Sequence, residues 1–254
     1  MCLILNKRTE VSKSMYVTDE NEAAKSSPES LPTLINLRQV VKTYQTAAGT
    51  FIALDQVDLT IGKGEFVSIV GRSGSGKTTL INLITGIDNP TRGEIYIGET
   101  AVHLLKESEK ATWRGLNVGV VFQFFQLLPT LTILENVMLP MSLCNIYPGP
   151  ERIERAMELL DLVDLTAQVD KLPHLLSGGG QQRAAIARSL ANNPLIVATD
   201  EPTGNLDSRS AETVMRLFDS LVSRGKTILM VTHDPDLARR AGRIITLADG
   251  RVVL

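Results

Sequence analysis

The chain has 254 residues, 43% of them hydrophobic and 21% charged, with a formal net charge of −2. That balance supplies enough apolar material for one large domain or two small ones and excludes a wholly disordered chain. It also lacks the strongly basic footprint of a nucleic-acid binder, so no nucleic-acid partner is expected.

Met1 to Leu5 is too short for the apolar core of a secretory signal, and Lys7-Arg8 follows it where such a signal carries charge in front. No export signal is expected. Asn6 to Pro32 is mostly polar and cannot repay the entropy of ordering, so residues 1–32 are predicted to form a disordered arm ahead of a folded domain at 33–254. Leu34 to Tyr44, Phe51 to Leu54 and Val57 to Ile61 are short β-rich runs, punctuated by Gly62-Lys63-Gly64, and predict a small antiparallel layer. Cys2 and Cys144 lack metal-ligand spacing and read as reduced thiols of a cytosolic protein.

Glu65 to Val70 then reads as a buried strand and Thr79 to Ile84 as a helix, with Gly71-Arg72-Ser73-Gly74-Ser75-Gly76-Lys77-Thr78 between them. This is the phosphate-loop pattern: glycines let backbone N–H groups curl around an anion at a positive helix end, with Ser73 and Ser75 small enough to stay clear. Lys77 would reach the β and γ phosphates of a nucleoside triphosphate. The Thr78 hydroxyl would meet a magnesium ion that keeps most of its own waters.

Gly93 to Gly98 and Val118 to Phe122 predict two more strands, separated by a polar segment whose Trp113 is assigned to packing. Apolar residues at helical spacing run from Thr130 to Val169, divided by Pro148-Gly149-Pro150, and predict an inserted helical subdomain at about 126–176. No window reaches the roughly eighteen uninterrupted apolar residues of a membrane helix. From Ser177 the chain alternates: helix at Gln182 to Leu190, strand at Leu195 to Thr199, helix at Arg209 to Val222, strand at Thr227 to Thr232. That order predicts an α/β fold, a mostly parallel sheet with helices on both faces, joined to the antiparallel layer and the helical insert. Ala248 to Arg251 predicts a hairpin turn. The strand ending in Asp200-Glu201 puts two carboxylates where an open α/β sheet presents ligands; one can serve magnesium while the other polarises water.

With these residues in place the chain, from about Leu34 to Val253, resembles the ATP-binding cassette ATPases. Leu176-Ser177-Gly178-Gly179-Gly180-Gln181-Gln182-Arg183 resembles the family signature, and Gln123 the hinge glutamine that senses magnesium and the attacking water. Gly204-Asn205-Leu206-Asp207 resembles the loop that crosses to a partner subunit, His233 the switch histidine at the γ-phosphate, and Tyr44 the aromatic under adenine. The resemblance implies ATP and Mg2+ as cofactors. It implies binding roles for Tyr44, Gly71, Arg72, Ser73, Gly74, Ser75, Gly76, Lys77, Thr78 and Thr79 on one copy. Ser177, Gly178, Gly179 and Asp207 would come from the other. Thr78, Gln123 and Asp200 would serve the metal, with Glu201 as general base, assisted by His233 and Gln123.

Ser177 before three glycines and a helical run also reads as an N-cap with free amides, an anion site in its own right. One departure stands out: the family usually has Gln where this chain has Gly180, so the reciprocal half of a capping box is missing and a looser helix start is expected. Thr199 is expected to be a neutral stand-in for Val on a buried strand, His103 and His174 to be structural, and Phe122 to Leu128 to be core. Partial exposure of Phe125 to Leu128, where the family docks its membrane partner, is the competing expectation.

The resemblance therefore implies a transporter subunit that hydrolyses ATP, pairs head to tail with a second copy and transmits closure to separate integral membrane permease subunits. Its place would be cytoplasmic, peripheral on the inner membrane face. Asp200 to Asp207 together with Leu127 to Thr132 are most similar to the lipoprotein-release and macrolide-efflux branch, which implies export. The alternatives are a cell-division-type relative that moves no substrate, and a soluble cassette of translation or repair, disfavoured because only one phosphate loop occurs.

Overall fold

The computed structural model describes residues 31–47 and 49–253; the predicted arm lies, but for Leu31 and Pro32, outside the described residues. The first sheet opens with two long strands, β1 (Thr33–Thr46) and β2 (Gly49–Gly62), paired antiparallel with Leu37 opposite Leu59 and Val40 opposite Val57. The two short runs expected at Phe51 to Leu54 and Val57 to Ile61 are thus one strand. The residues between them do not break it, because Gln56 takes φ 50 and the register shift there is absorbed as a bulge. After the next strand, β3 (Phe66–Val70), and helix α1 (Lys77–Ile84), β4 (Arg92–Ile97) pairs with the free edge of β1 and β5 (Thr100–Ala101) pairs with β4.

The segment that looked merely polar is helix α2 (Glu107–Asn117), which buries Lys110 and packs Trp113 against the core below it. Next come β6 (Val118–Val121), the helices α3 (Ile133–Leu143) and α4 (Gly149–Leu162), then α5 (Gly178–Ser189), β7 (Ile196–Asp200), α6 (Ser208–Ser223), β8 (Thr227–Val231), α7 (Pro235–Ala238), β9 (Arg243–Ala248) and β10 (Arg251–Val253). The second sheet has the order β10-β9-β3-β8-β7-β6, parallel throughout except β10. Its central strands are apolar on both faces, as in Thr227 to Val231, because both faces are covered. One core fills the space between the antiparallel sheet, α1 and the parallel sheet; the other lies between that sheet and α3 to α6, with Phe66 edge-on to Phe218 at 6.4 Å. This arrangement brings the carboxyl ends of β3, β8, β7 and β6 side by side, where ligands bind such sheets.

Candidate nucleotide-binding site

The loop after β3 is held open by backbone geometry. Gly76, the residue before α1, has φ 101, and a Cβ on Gly71 would strike the Leu247 carbonyl and the Ser75 hydroxyl. The helix starts at Lys77, two residues before the predicted Thr79, so the amides of its first turn open directly onto the loop, and no acidic residue sits there to neutralise them. The Lys77 ammonium folds over the loop, donating to the carbonyls of Gly71 at 2.8 Å and Arg72 at 2.9 Å. Arg72, Ser73 and Gly74 are exposed; Ser75 is buried, and its carbonyl accepts from the Gly250 amide, tying the loop to the β9–β10 turn.

One residue of this helix end reaches the acidic strand. The Thr78 hydroxyl donates to Asp200 Oδ2 at 3.1 Å. Burial, reinforced by the neighbouring Glu201 charge, pushes the Asp200 carboxyl above the ordinary aspartate range despite Thr78 and Lys77. Glu201 leaves the strand with φ 50, its amide bonded to the Val231 carbonyl, and its carboxylate meets His233 Nδ1 at 2.8 Å. The carboxylate is 17% exposed and the imidazole 75%. Between them and Thr203, Gly204, Thr232 and Asp234 lies a cavity of about 360 Å3. Among the described residues no three His, Cys, Asp or Glu side chains could enclose a metal alone, whereas the desolvated Asp200 carboxylate beside Thr78 fits a cation delivered already bound to phosphates.

The remaining predicted residues gather elsewhere. Ser177 caps α5 by accepting from the Gly180 amide at 3.2 Å, and the helix is regular from Gly178, although Gly180 leaves the second half of the capping box unmade. Asp207 caps α6, where the Ser210 amide and hydroxyl hold its carboxyl below the ordinary range. Gly179 packs so closely on Ser210 that the two helix starts form one cluster, with Gly178 facing Asn205, Leu206 and Phe125. Among the described residues no hydrogen bond joins Ser177, Gly178, Gly179 or Asp207 to the phosphate loop. Gln123 lies against Gly204, its carbonyl accepting from Asn205 Nδ2 at 3.1 Å, and it makes no hydrogen bond to Thr78 or Asp200.

Tyr44 is 36% exposed near the end of β1, its hydroxyl donating to Asp88 Oδ2 at 2.8 Å. His103 binds the Ile95 backbone, in keeping with a structural role. The aromatic run after β6 is not core: Phe124 is 73% and Leu128 43% exposed, while only Leu127 packs against the helical core. Thr199 is fully buried as expected, yet its hydroxyl has no protein partner, so it is not a neutral replacement for Val.

Several positioning residues were not assigned a role from the sequence pattern. Gln182 donates to the Pro202 carbonyl at 2.6 Å behind Glu201, and Arg188 donates to the carbonyls of Phe125 and Gln126, both left-handed. Asn136 makes four hydrogen bonds to the backbone of Leu128, Leu131 and Thr132. A polar residue inside an apolar helical stripe was the only available signal for Asn136.

The fold and the loop define a phosphate-loop nucleotide hydrolase. The family model described as ABC transporter matches residues 54–204. The chain is 43% identical over 220 residues to the lipoprotein-releasing system ATP-binding protein LolD of Bacteroides thetaiotaomicron, covering 86% of this chain and 99% of that one. It is 46% identical over 222 residues to the macrolide export ATP-binding/permease protein MacB of Chlorobium phaeobacteroides, covering 87% of this chain but 33% of MacB. A Methanocaldococcus jannaschii ATP-binding cassette, solved as a dimer in a post-hydrolysis state bound to ADP and Pi, superposes with a TM-score of 0.80 at 45% identity, covering 87% of this chain and 97% of that one. The chain belongs to the ABC transporter family: it is an ABC ATPase of the branch that includes LolD and MacB.

Proposed function

We propose that this ATPase works as a head-to-tail pair, each ATP lying between the phosphate loop of one copy and the Ser177 cluster of the other. The observation that carries this is that, among the described residues, no hydrogen bond joins the helix start at Ser177 to the phosphate loop and its helix start at Gly76 within one chain. In this reading Arg72 to Thr79 cradle the phosphates, Lys77 leaving its two carbonyls for the β and γ oxygens, and Tyr44 carries the base. Thr78, Asp200 and Gln123 would hold magnesium, which supplies charge neutralisation at the transferring phosphate. Glu201 takes the proton of the attacking water. His233, held by the contact of its Nδ1 with Glu201, steadies the γ-phosphate. Ser177, Gly178, Gly179 and Asp207 close the site from the partner copy. The glutamate substitution Glu201→Gln tests the pairing: in ATP and magnesium it should run as a dimer by light scattering, and a monomer at saturation would refute the reading.

The same reading places separate membrane permease subunits on the groove beside β6, with helices α3 and α4 as an inserted subdomain at about 126–176. Support comes from a cavity of about 730 Å3 lined by Phe122, Leu139, Leu143 and residues of α2, next to the exposed Phe124 and Leu128. Among the described residues no helix is long and apolar enough to cross a membrane, so attachment at the cytoplasmic face would run through the permease. Export is supported by the likeness to LolD and MacB. Leu128→Ala should lower permease capture while leaving the basal ATPase rate intact; loss of both would assign the residue to folding.

A further inference from the structure

We infer that Asp88 and Lys42 are positioning residues for the nucleobase: together they fix the Tyr44 ring in place relative to the phosphate loop. The inference rests on the reading of Tyr44 as the base platform. Tyr44 is on the exposed end of β1 and needs an outside constraint to hold its ring. Lys42, two residues earlier and therefore on the same strand face, sets its ammonium 4.8 Å from the Tyr44 ring centroid. That ammonium donates to Asp88 Oδ1 at 2.6 Å and to the Asn89 carbonyl at 2.8 Å, while the other Asp88 oxygen accepts from the tyrosine hydroxyl. One carboxylate thus grips the ring edge and the cation on its face.

Asp88 is in turn tied to the phosphate-loop helix. Its amide, and that of Ile87, donate to the Asn82 carbonyl in the last turns of α1. Behind it, Asn89 is held by the fully buried Lys110 of α2, which also pairs with Glu107 at 3.1 Å. Burial works against the Asp88 charge, yet the bonds from Lys42, Tyr44 and the Asn89 amide outweigh it and hold the carboxyl below the ordinary range, so the anchor is charged at neutral pH. With Lys42 on one ring face, a stacking base is directed to the other. The separation between base platform and phosphate loop is set by this junction.

Calorimetric titration with ATP and with inorganic tripolyphosphate, which has no base, tests the idea on Asp88→Ala, Tyr44→Phe and Tyr44→Ala. Stacking on an aromatic contributes enough that Asp88→Ala should weaken ATP about tenfold, with Tyr44→Phe falling in the same direction and tripolyphosphate unchanged. Tyr44→Phe keeps the ring on an exposed site and guards against a folding failure at Asp88. Equal loss for ATP and tripolyphosphate would overturn the proposal, since Asp88 would then serve the phosphate loop. Full ATP affinity in Asp88→Ala alongside a loss in Tyr44→Ala would overturn it while sparing the platform. Full affinity in Tyr44→Ala would sink the platform itself.

Discussion

Thr199→Val should stabilise the protein. Thr199 is fully buried in β7 between Val121 of β6 and Met230 of β8, and its hydroxyl finds no protein partner. An unsatisfied buried hydroxyl costs about 1–3 kcal/mol. Valine keeps the β-branched shape the strand prefers and adds a methyl group worth about 0.8 kcal/mol of burial, part of which a tight core takes back as strain. The expected gain is therefore about 1–2 kcal/mol, or roughly 2–8 °C in Tm for a domain of this size. Differential scanning calorimetry on the nucleotide-free proteins measures it, with urea unfolding to confirm that the m-value is unchanged. An unchanged or lowered Tm would refute the reasoning, because the hydroxyl would then be satisfied in the folded protein. ATP affinity should be unaffected, since Asp200 keeps its backbone position.

Asp200→Asn should raise the stability of the nucleotide-free protein while abolishing ATP turnover. Because the folded-state pKa is raised, wild-type Asp200 favours folding below its ordinary titration range and this is lost as pH rises through the folded pKa; the Tm gap between variant and wild type should widen from about pH 4 upward and then level off, and a constant gap would contradict the assignment. Gly180→Gln should strengthen the α5 start by up to about 1 kcal/mol, provided that Leu176, 3.3 Å from the new Cβ, yields; higher ATPase activity and dimer affinity are expected, and lower values in both would show that the glycine is required. Asn136→Ala should cost about 2–4 kcal/mol by orphaning the Leu128 amide and its neighbours, seen as a lowered urea midpoint; a loss under 1 kcal/mol would show that the loop rearranges.

Most of the frame was readable because its physics is local. The buried run of Glu65 to Val70, the glycines and the following helix announce a phosphate loop within twenty residues, and alternation of apolar strands with amphipathic helices after Ser177 announces the parallel sheet. Helix α2 escaped because its principal buried side chain, Lys110, is charged and satisfied by Asn89 and Glu107, leaving no apolar stripe to detect. The continuity of β2 escaped because Gln56 tolerates a left-handed turn that the pattern reads as a break. At the site, residue types were legible but their pairings were not: Glu201 meets His233 only because β7 and β8 are neighbours in the sheet. Asp88 met Tyr44 across 44 residues, a distance no periodicity spans.

The claim on which the rest depends is that a working site needs two chains. Mixing Lys77→Ala with Ser177→Arg tests it directly: each alone should be inactive, and head-to-tail pairing leaves one intact site in every mixed dimer. Random exchange makes half the dimers mixed, so an equimolar mixture should recover about a quarter of the wild-type ATPase rate. No recovery, with mixed dimers demonstrated by mass, would mean that loop and signature act within one chain.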